Sequence, residues 1–154
     1  MFGPHLTIDL YGCDAKLLND TANIFRILDE MPTLLDMRKI SEPQILPYAG
    51  SPGTFDKGGV SAFVLIATSH ISIHTFVHQR YASVDIFSCK AFDTNKAIKY
   101  ISGRFKAKKA ETNLFNRGRE FPKEEPLAEK IVAKDRKKIT DLHKSGRQAQ
   151  SPSF

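Results

Sequence analysis

Residues 60–89 read VSAFVLIATSHISIHTFVHQRYASVDIFSC, and this stretch decides the fold. VSAFVLIA (60–67) is a continuous apolar run short enough for a buried strand. ISIHTF (71–76) alternates: Ile71, Ile73 and Thr75 fall on one face, Ser72, His74 and Phe76 on the other. YASVDIFS (81–88) alternates again, with Ala82, Val84 and Ile86 on one face. Side chains of a strand alternate between faces, so these runs are successive half-buried strands. Thr68, Ser69 and His70 lie at the junction of the first two.

The flanks extend the pattern. Pro4–Tyr11 alternates, with Leu6, Ile8 and Leu10 on one side. Asp14 can cap a helix over 15–30, whose Leu17, Leu18, Ile24, Phe25 and Leu28 recur at helical spacing, and Pro32 is expected to stop it. A short strand is expected over 44–48, followed by the Gly/Pro/Ser-rich loop AGSPGTFDKGG at 49–59. Asp93 or Thr94 can cap a second helix over 95–105, and 110–118 can form a last strand. The order β–α–β–β–β–α–β predicts an α+β domain: a two-layer sandwich in which a mostly antiparallel sheet carries its helices on one face. The other face is then left to solvent, a ligand or a second subunit.

The chain has 154 residues, enough for one domain with its own core. It contains no apolar run long enough to span a bilayer, and MFGPHLTIDLYGCD lacks the basic start and apolar stretch of a secretory signal. No membrane association is expected. Two cysteines, Cys13 and Cys89, cannot build a disulfide framework, and with His5, His70, His74 and His78 they show no zinc spacing. No metal is expected, and a reducing, cytoplasmic setting fits. The net charge of +6 is uneven: residues 104–154 carry 14 Lys/Arg against 7 Asp/Glu, while residues 1–103 are near neutral. We therefore divide the chain into a domain over 1–120 and a basic extension over 121–154. The extension can form a helix over 127–143, with disorder expected after it. KAKK (106–109) and KDRKK (134–138) have little aromatic interleaving, so a solvated face explains them better than nucleic-acid binding does.

Ser61, Ser69, His74 and Cys89 all fall on these adjacent strands. A serine, an imidazole and a thiol drawn together can serve as nucleophile, base and proton donor. On spacing alone a satisfied strand histidine and a small buried cysteine are the commoner outcome. Asp9 and Asp85 face away from the apolar side. They could hold a cationic substrate group or a polyamine, or simply face solvent or pair with Arg80 or Lys90.

T-S-H-I-S-I-H-T (68–75) followed by Y-A-S-V-D-I-F-S-C (81–89) resembles the processing-site region of the prokaryotic S-adenosylmethionine decarboxylase proenzymes. G-P-H-L-T-I-D-L-Y-G-C-D (3–14) and L-P-Y (46–48) resemble the family's first strand with its helix cap and its next strand. The resemblance implies a self-processing, pyruvoyl-dependent enzyme that decarboxylates S-adenosylmethionine for spermidine synthesis. It implies cleavage between Thr68 and Ser69, with Ser69 becoming the pyruvoyl group that forms a Schiff base with the substrate amine and acts as electron sink. It implies that His74 and Ser61 serve processing, that Cys89 is the proton donor, and that the protein is a homodimer of αβ protomers.

The chain departs from the family pattern at several positions. Thr68 stands where a glutamate is usual. Phe76-Val77-His78 replaces Trp-Pro-Glu, so Phe76 would stack on the purine with less area and His78 would replace a carboxylate at the ribose. Ile45 stands where an aromatic adenine wall is expected. These changes leave two alternatives open: a pyruvoyl decarboxylase of arginine or ornithine, and an unprocessed, non-catalytic relative.

Overall fold

A computed structural model describes residues 3–121, 132 and 134–138. The elements are β1 (Gly3–Tyr11), α1 (Ala15–Asn19), α2 (Thr21–Leu34), β2 (Gln44–Tyr48), β3 (Gly59–Ile66), β4 (Ser69–Phe76), β5 (Tyr81–Phe87), α3 (Thr94–Phe105) and β6 (Lys109–Arg117). The six strands form one sheet in the order β2-β3-β4-β5-β1-β6, and every neighbouring pair is antiparallel.

Strand alternation sets the core. Leu6, Ile8 and Leu10 of β1, Val60, Ala62, Val64 and Ile66 of β3, Ile71 and Ile73 of β4, and Ala82, Val84 and Ile86 of β5 are all buried. They pack against Leu18, Ile24, Ile27, Leu28 and Met31 of the first two helices and Ala97, Ile101 and Phe105 of α3. All three helices thus cover one face of the sheet, as the α+β expectation requires. On the other face, Phe63, Leu65, Leu46 and Tyr48 are exposed.

Two expectations for the first helical segment are corrected. The single helix over 15–30 is two helices. Asp20 breaks it with extended backbone, and its carboxylate accepts the Asn23 N–H at 2.9 Å, capping α2. Pro32 does not stop α2, which runs on to Leu34. Proline forfeits one backbone donor, but Pro32 sits in the last turn and is buried, and the Leu35 N–H closes that turn onto Met31 and Pro32 carbonyls. Asp93 caps α3, accepting from Lys96 N–H at 2.9 Å. Asp9 accepts a hydrogen bond from Tyr81 and Asp85 pairs with His5 Nε2 at 2.9 Å, so neither takes Arg80 or Lys90.

The chain divides into two compact units, Met1–Arg119 and Glu120–Phe154. In the second, Val132 and Lys134–Lys138 are helical and exposed, and the rest of the expected 127–143 helix lies outside the described residues. Among the described residues no helix is long and apolar enough to cross a membrane.

Candidate active site

The β3–β4 connection is a two-residue hairpin: Ile66 pairs with Ser69, leaving Ala67 and Thr68 as the turn. Ser69 opens β4, so the Thr68–Ser69 bond lies where turn meets strand. The Ser69 Oγ is buried and has no hydrogen-bond partner. A buried hydroxyl without a partner is costly, and such groups are often held for chemistry.

Two elements fix this turn. The segment over 38–41 runs beside the end of β3: Ala67 N–H donates to Arg38 O, Ile40 N–H to Leu65 O, and Leu65 N–H to Ser41 Oγ, each at 3.0 Å. Sequence periodicity did not mark this segment, because it carries no alternation of its own. On the other side, the chain leaving β5 brings Cys89 to the turn, with Sγ donating to Ala67 O at 3.5 Å. Hydrogen bonding from Thr68, first its backbone and then its side chain, holds the Cys89 thiol below the ordinary thiol range. The Lys90 charge acts the same way, against the effect of burial. The other cysteine behaves oppositely: burial pushes Cys13 up to about 11. Gly3 permits the approach of β1 to this corner. A Cβ there would fall 1.9 Å from Ser88 O and 2.8 Å from Cys89 Cα.

Ser61 and His74 form a separate pair. They are direct partners across β3 and β4, and Ser61 Oγ lies 3.0 Å from His74 Nδ1. Within the chain this pair is not beside Ser69. His74 is five residues along β4, roughly 16 Å at about 3.3 Å per residue, and an odd spacing puts it on the opposite face. The four chemically interesting residues therefore separate into one dyad, Ser61 with His74, and one turn that carries Ser69 and is contacted by Cys89 through Ala67.

The remaining candidates also separate. Phe76 ends β4 on the open face, its ring 5.6 Å from that of Tyr81. His78 is exposed in the following turn. Ile45 pairs with Ala62 and packs against the helix-side core, on the face opposite Phe76.

The order of elements defines an α+β sandwich, and its β3–β4 hairpin sets a partnerless serine hydroxyl in a turn that a thiol contacts. Residues 4–118 match the family described as S-adenosylmethionine decarboxylase. An S-adenosylmethionine decarboxylase proenzyme of Clostridium botulinum (strain Langeland) is 33% identical over 118 residues, covering 76% of this chain and 95% of the relative. One of Pyrococcus furiosus is 34% identical over 117 residues, covering 75% and 78%. The crystal structure of the adenosylmethionine decarboxylase from Aquifex aeolicus superposes with a TM-score of 0.64 at 29% identity, covering 80% of this chain and 95% of that one. The chain belongs to the S-adenosylmethionine decarboxylase family.

Proposed function

We propose that this chain is a proenzyme that cuts its own Thr68–Ser69 bond and then decarboxylates S-adenosylmethionine, supplying the aminopropyl donor for spermidine synthesis. The observation that carries the reading is the Ser69 hydroxyl, buried without a partner on the residue that follows the Thr68 carbonyl. Ser69 Oγ adds to that carbonyl carbon, and the C–N bond breaks as the acyl group moves from nitrogen to oxygen. A base then removes the Ser69 α-proton, and the 1–68 segment leaves as a carboxylate. The dehydroalanine that remains at position 69 takes up water, releases ammonia and becomes a pyruvoyl group. The residues present suit such a group: Ser69 is half-buried in a tight turn with its Oγ out of solvent, and the Cys89 thiol reaches that turn. A pyruvoyl group supplies a carbonyl for the substrate's amine and a sink for the electron pair freed with CO₂.

Cys89 is the group we assign to return a proton to the substrate α-carbon. Phe76 is assigned to the purine face and His78 to the ribose. The Ser61–His74 dyad is assigned to processing, with His74 as base. Because it stands roughly 16 Å along β4 from its own Ser69, we infer a two-fold dimer in which each chain's dyad serves its partner's Thr68–Ser69 bond, approached at the exposed Thr68 turn. The exposed Phe63 and Leu65, which share the dyad's strand and sheet face, support an interface there. We assign the catalytic unit to residues 1–120, treat 121–154 as an extension, and place the enzyme in the cytoplasm.

The relatives described above are named for S-adenosylmethionine, not for arginine or ornithine. The test is CO₂ release from each carboxyl-labelled substrate. Release from S-adenosylmethionine, abolished by Ser69→Ala, is expected. Release from a basic amino acid instead would refute the substrate assignment.

A further inference from the structure

At the end of the sheet away from the 67–68 hairpin, a cavity of about 500 Å³ is lined by Gly12, Asp14, Lys16, Arg80, Lys106 and Lys108, among others. Four cationic residues from three segments line it, Lys16 of α1, Arg80 of the β4–β5 turn, and Lys106 and Lys108 of the α3–β6 link, against one carboxylate that already accepts the Lys16 N–H at 2.9 Å. None of the four cations makes an ion pair among the described residues, although Lys39, Arg104 and Lys109 elsewhere do.

The backbone adds an independent observation. Three non-glycine residues among the described ones have positive φ: Asp36, Arg80 and Lys106. Aspartate tolerates that region, whereas a long side chain there is strained. Two of the three are therefore cations at the same cavity, Arg80 at φ 52° and Lys106 at φ 50°. Glycine is the low-cost residue at both kinds of position, a tight strand turn and a left-handed helix cap. A favourable charge at a helix C-terminus would account for Lys106 but not for Arg80. Local strain kept for two charges at one place points to something those charges hold. Gly12, itself at φ 65°, lets the Lys108 alkyl chain lie across it, since a Cβ there would be 3.1 Å from three Lys108 carbons. The Arg80 carbonyl accepts Cys13 N–H at 2.9 Å and the Tyr11 carbonyl accepts Lys108 N–H at 2.9 Å, so the bearing segments are tied to one another.

We propose that this cavity is a binding site for a diphosphate group, free or as the tail of a nucleotide. Four cations around one carboxylate match a multiply charged anion, and the volume exceeds what a single phosphate fills. Arg80 can grip phosphate oxygens in a fork while the three lysines act as point charges. The site lies at the opposite end of β4 from Ser69, so its failure would leave the decarboxylase reading standing.

The full-length protein is titrated calorimetrically with pyrophosphate and, separately, with ADP, in about 0.15 M salt to screen loose surface attraction. Saturable binding of one ligand per chain is expected in at least one arm, and the tighter arm identifies the source. The double variant Arg80→Gly/Lys106→Gly removes two charges and the strain together. It should melt no lower than the parent and bind at least about tenfold more weakly. Lys99→Ala, an exposed charge outside the cavity, should bind like the parent. Lack of saturation in both arms, or equal affinity in the double glycine variant, overturns the proposal.

Discussion

Mixing two disabled chains tests the division of the site between subunits. Ser69→Ala cannot be cut but keeps the Ser61–His74 dyad; His74→Ala keeps the scissile serine but lacks the base. Proton transfer requires contact within about 3 Å, whereas His74 stands roughly 16 Å along β4 from its own Ser69, on the opposite face. Each variant alone should therefore remain whole. If the two are unfolded together and refolded at equal concentration, random two-fold pairing puts about half of the His74→Ala chains beside a partner with an intact dyad. Those chains, and no Ser69→Ala chains, should be cut. Denaturing mass spectrometry after prolonged incubation should find about half of the His74→Ala population as two fragments. No cleavage in the mixture would refute the crossed arrangement, and so would efficient cleavage of His74→Ala alone.

Other consequences follow from single residues. Thiolates alkylate and thiols do not, so in uncleaved Ser69→Ala protein iodoacetamide should modify Cys89 first, with a midpoint below that of an ordinary thiol. Cys13, held protonated up to about 11, should stay unmodified near neutral pH; peptide mapping reads both, and a faster Cys13 would contradict the assigned environments. Gly3→Ala forces a Cβ to within 1.9 Å of Ser88 O, so the corner beneath Cys89 must shift. A loss of about 2 kcal/mol, several degrees in melting temperature, is expected together with slower turnover. Ile73→Ala empties a fully buried position in the middle of the sheet and should cost about 2–5 kcal/mol by denaturant melting.

Much of the fold was legible because alternation is a direct record of a two-faced sheet. Ile71, Ile73, Val84 and Ile86 could only be reconciled with one buried face, and that is where they lie. The break at Asp20 was less visible, since the apolar stripe runs on through Leu17 to Leu28 with only the capping aspartate to interrupt it. Proximity in sequence misled at the site. Ser69 and His74 looked like one cluster, yet five residues along a strand is an odd number, which places them on opposite faces. That parity was available in the sequence. The support from residues 38–41 was not, because a single stretch laid beside a strand end leaves no periodic trace. Nor could composition reveal the basic cavity, whose four cations are brought together only by the start of α1, the turn after β4 and the link that follows the left-handed end of α3.

The central claim is that the bond between Thr68 and Ser69 is made to break. Intact mass of the purified wild-type chain under denaturing conditions tests it most directly. The account predicts two species, residues 1–68 with a normal carboxylate and residues 69–154 with an N-terminus blocked as a ketoacyl group, and a single 17.3 kDa species for Ser69→Ala. A wild-type preparation that turns over S-adenosylmethionine while all of it remains at 17.3 kDa would contradict it.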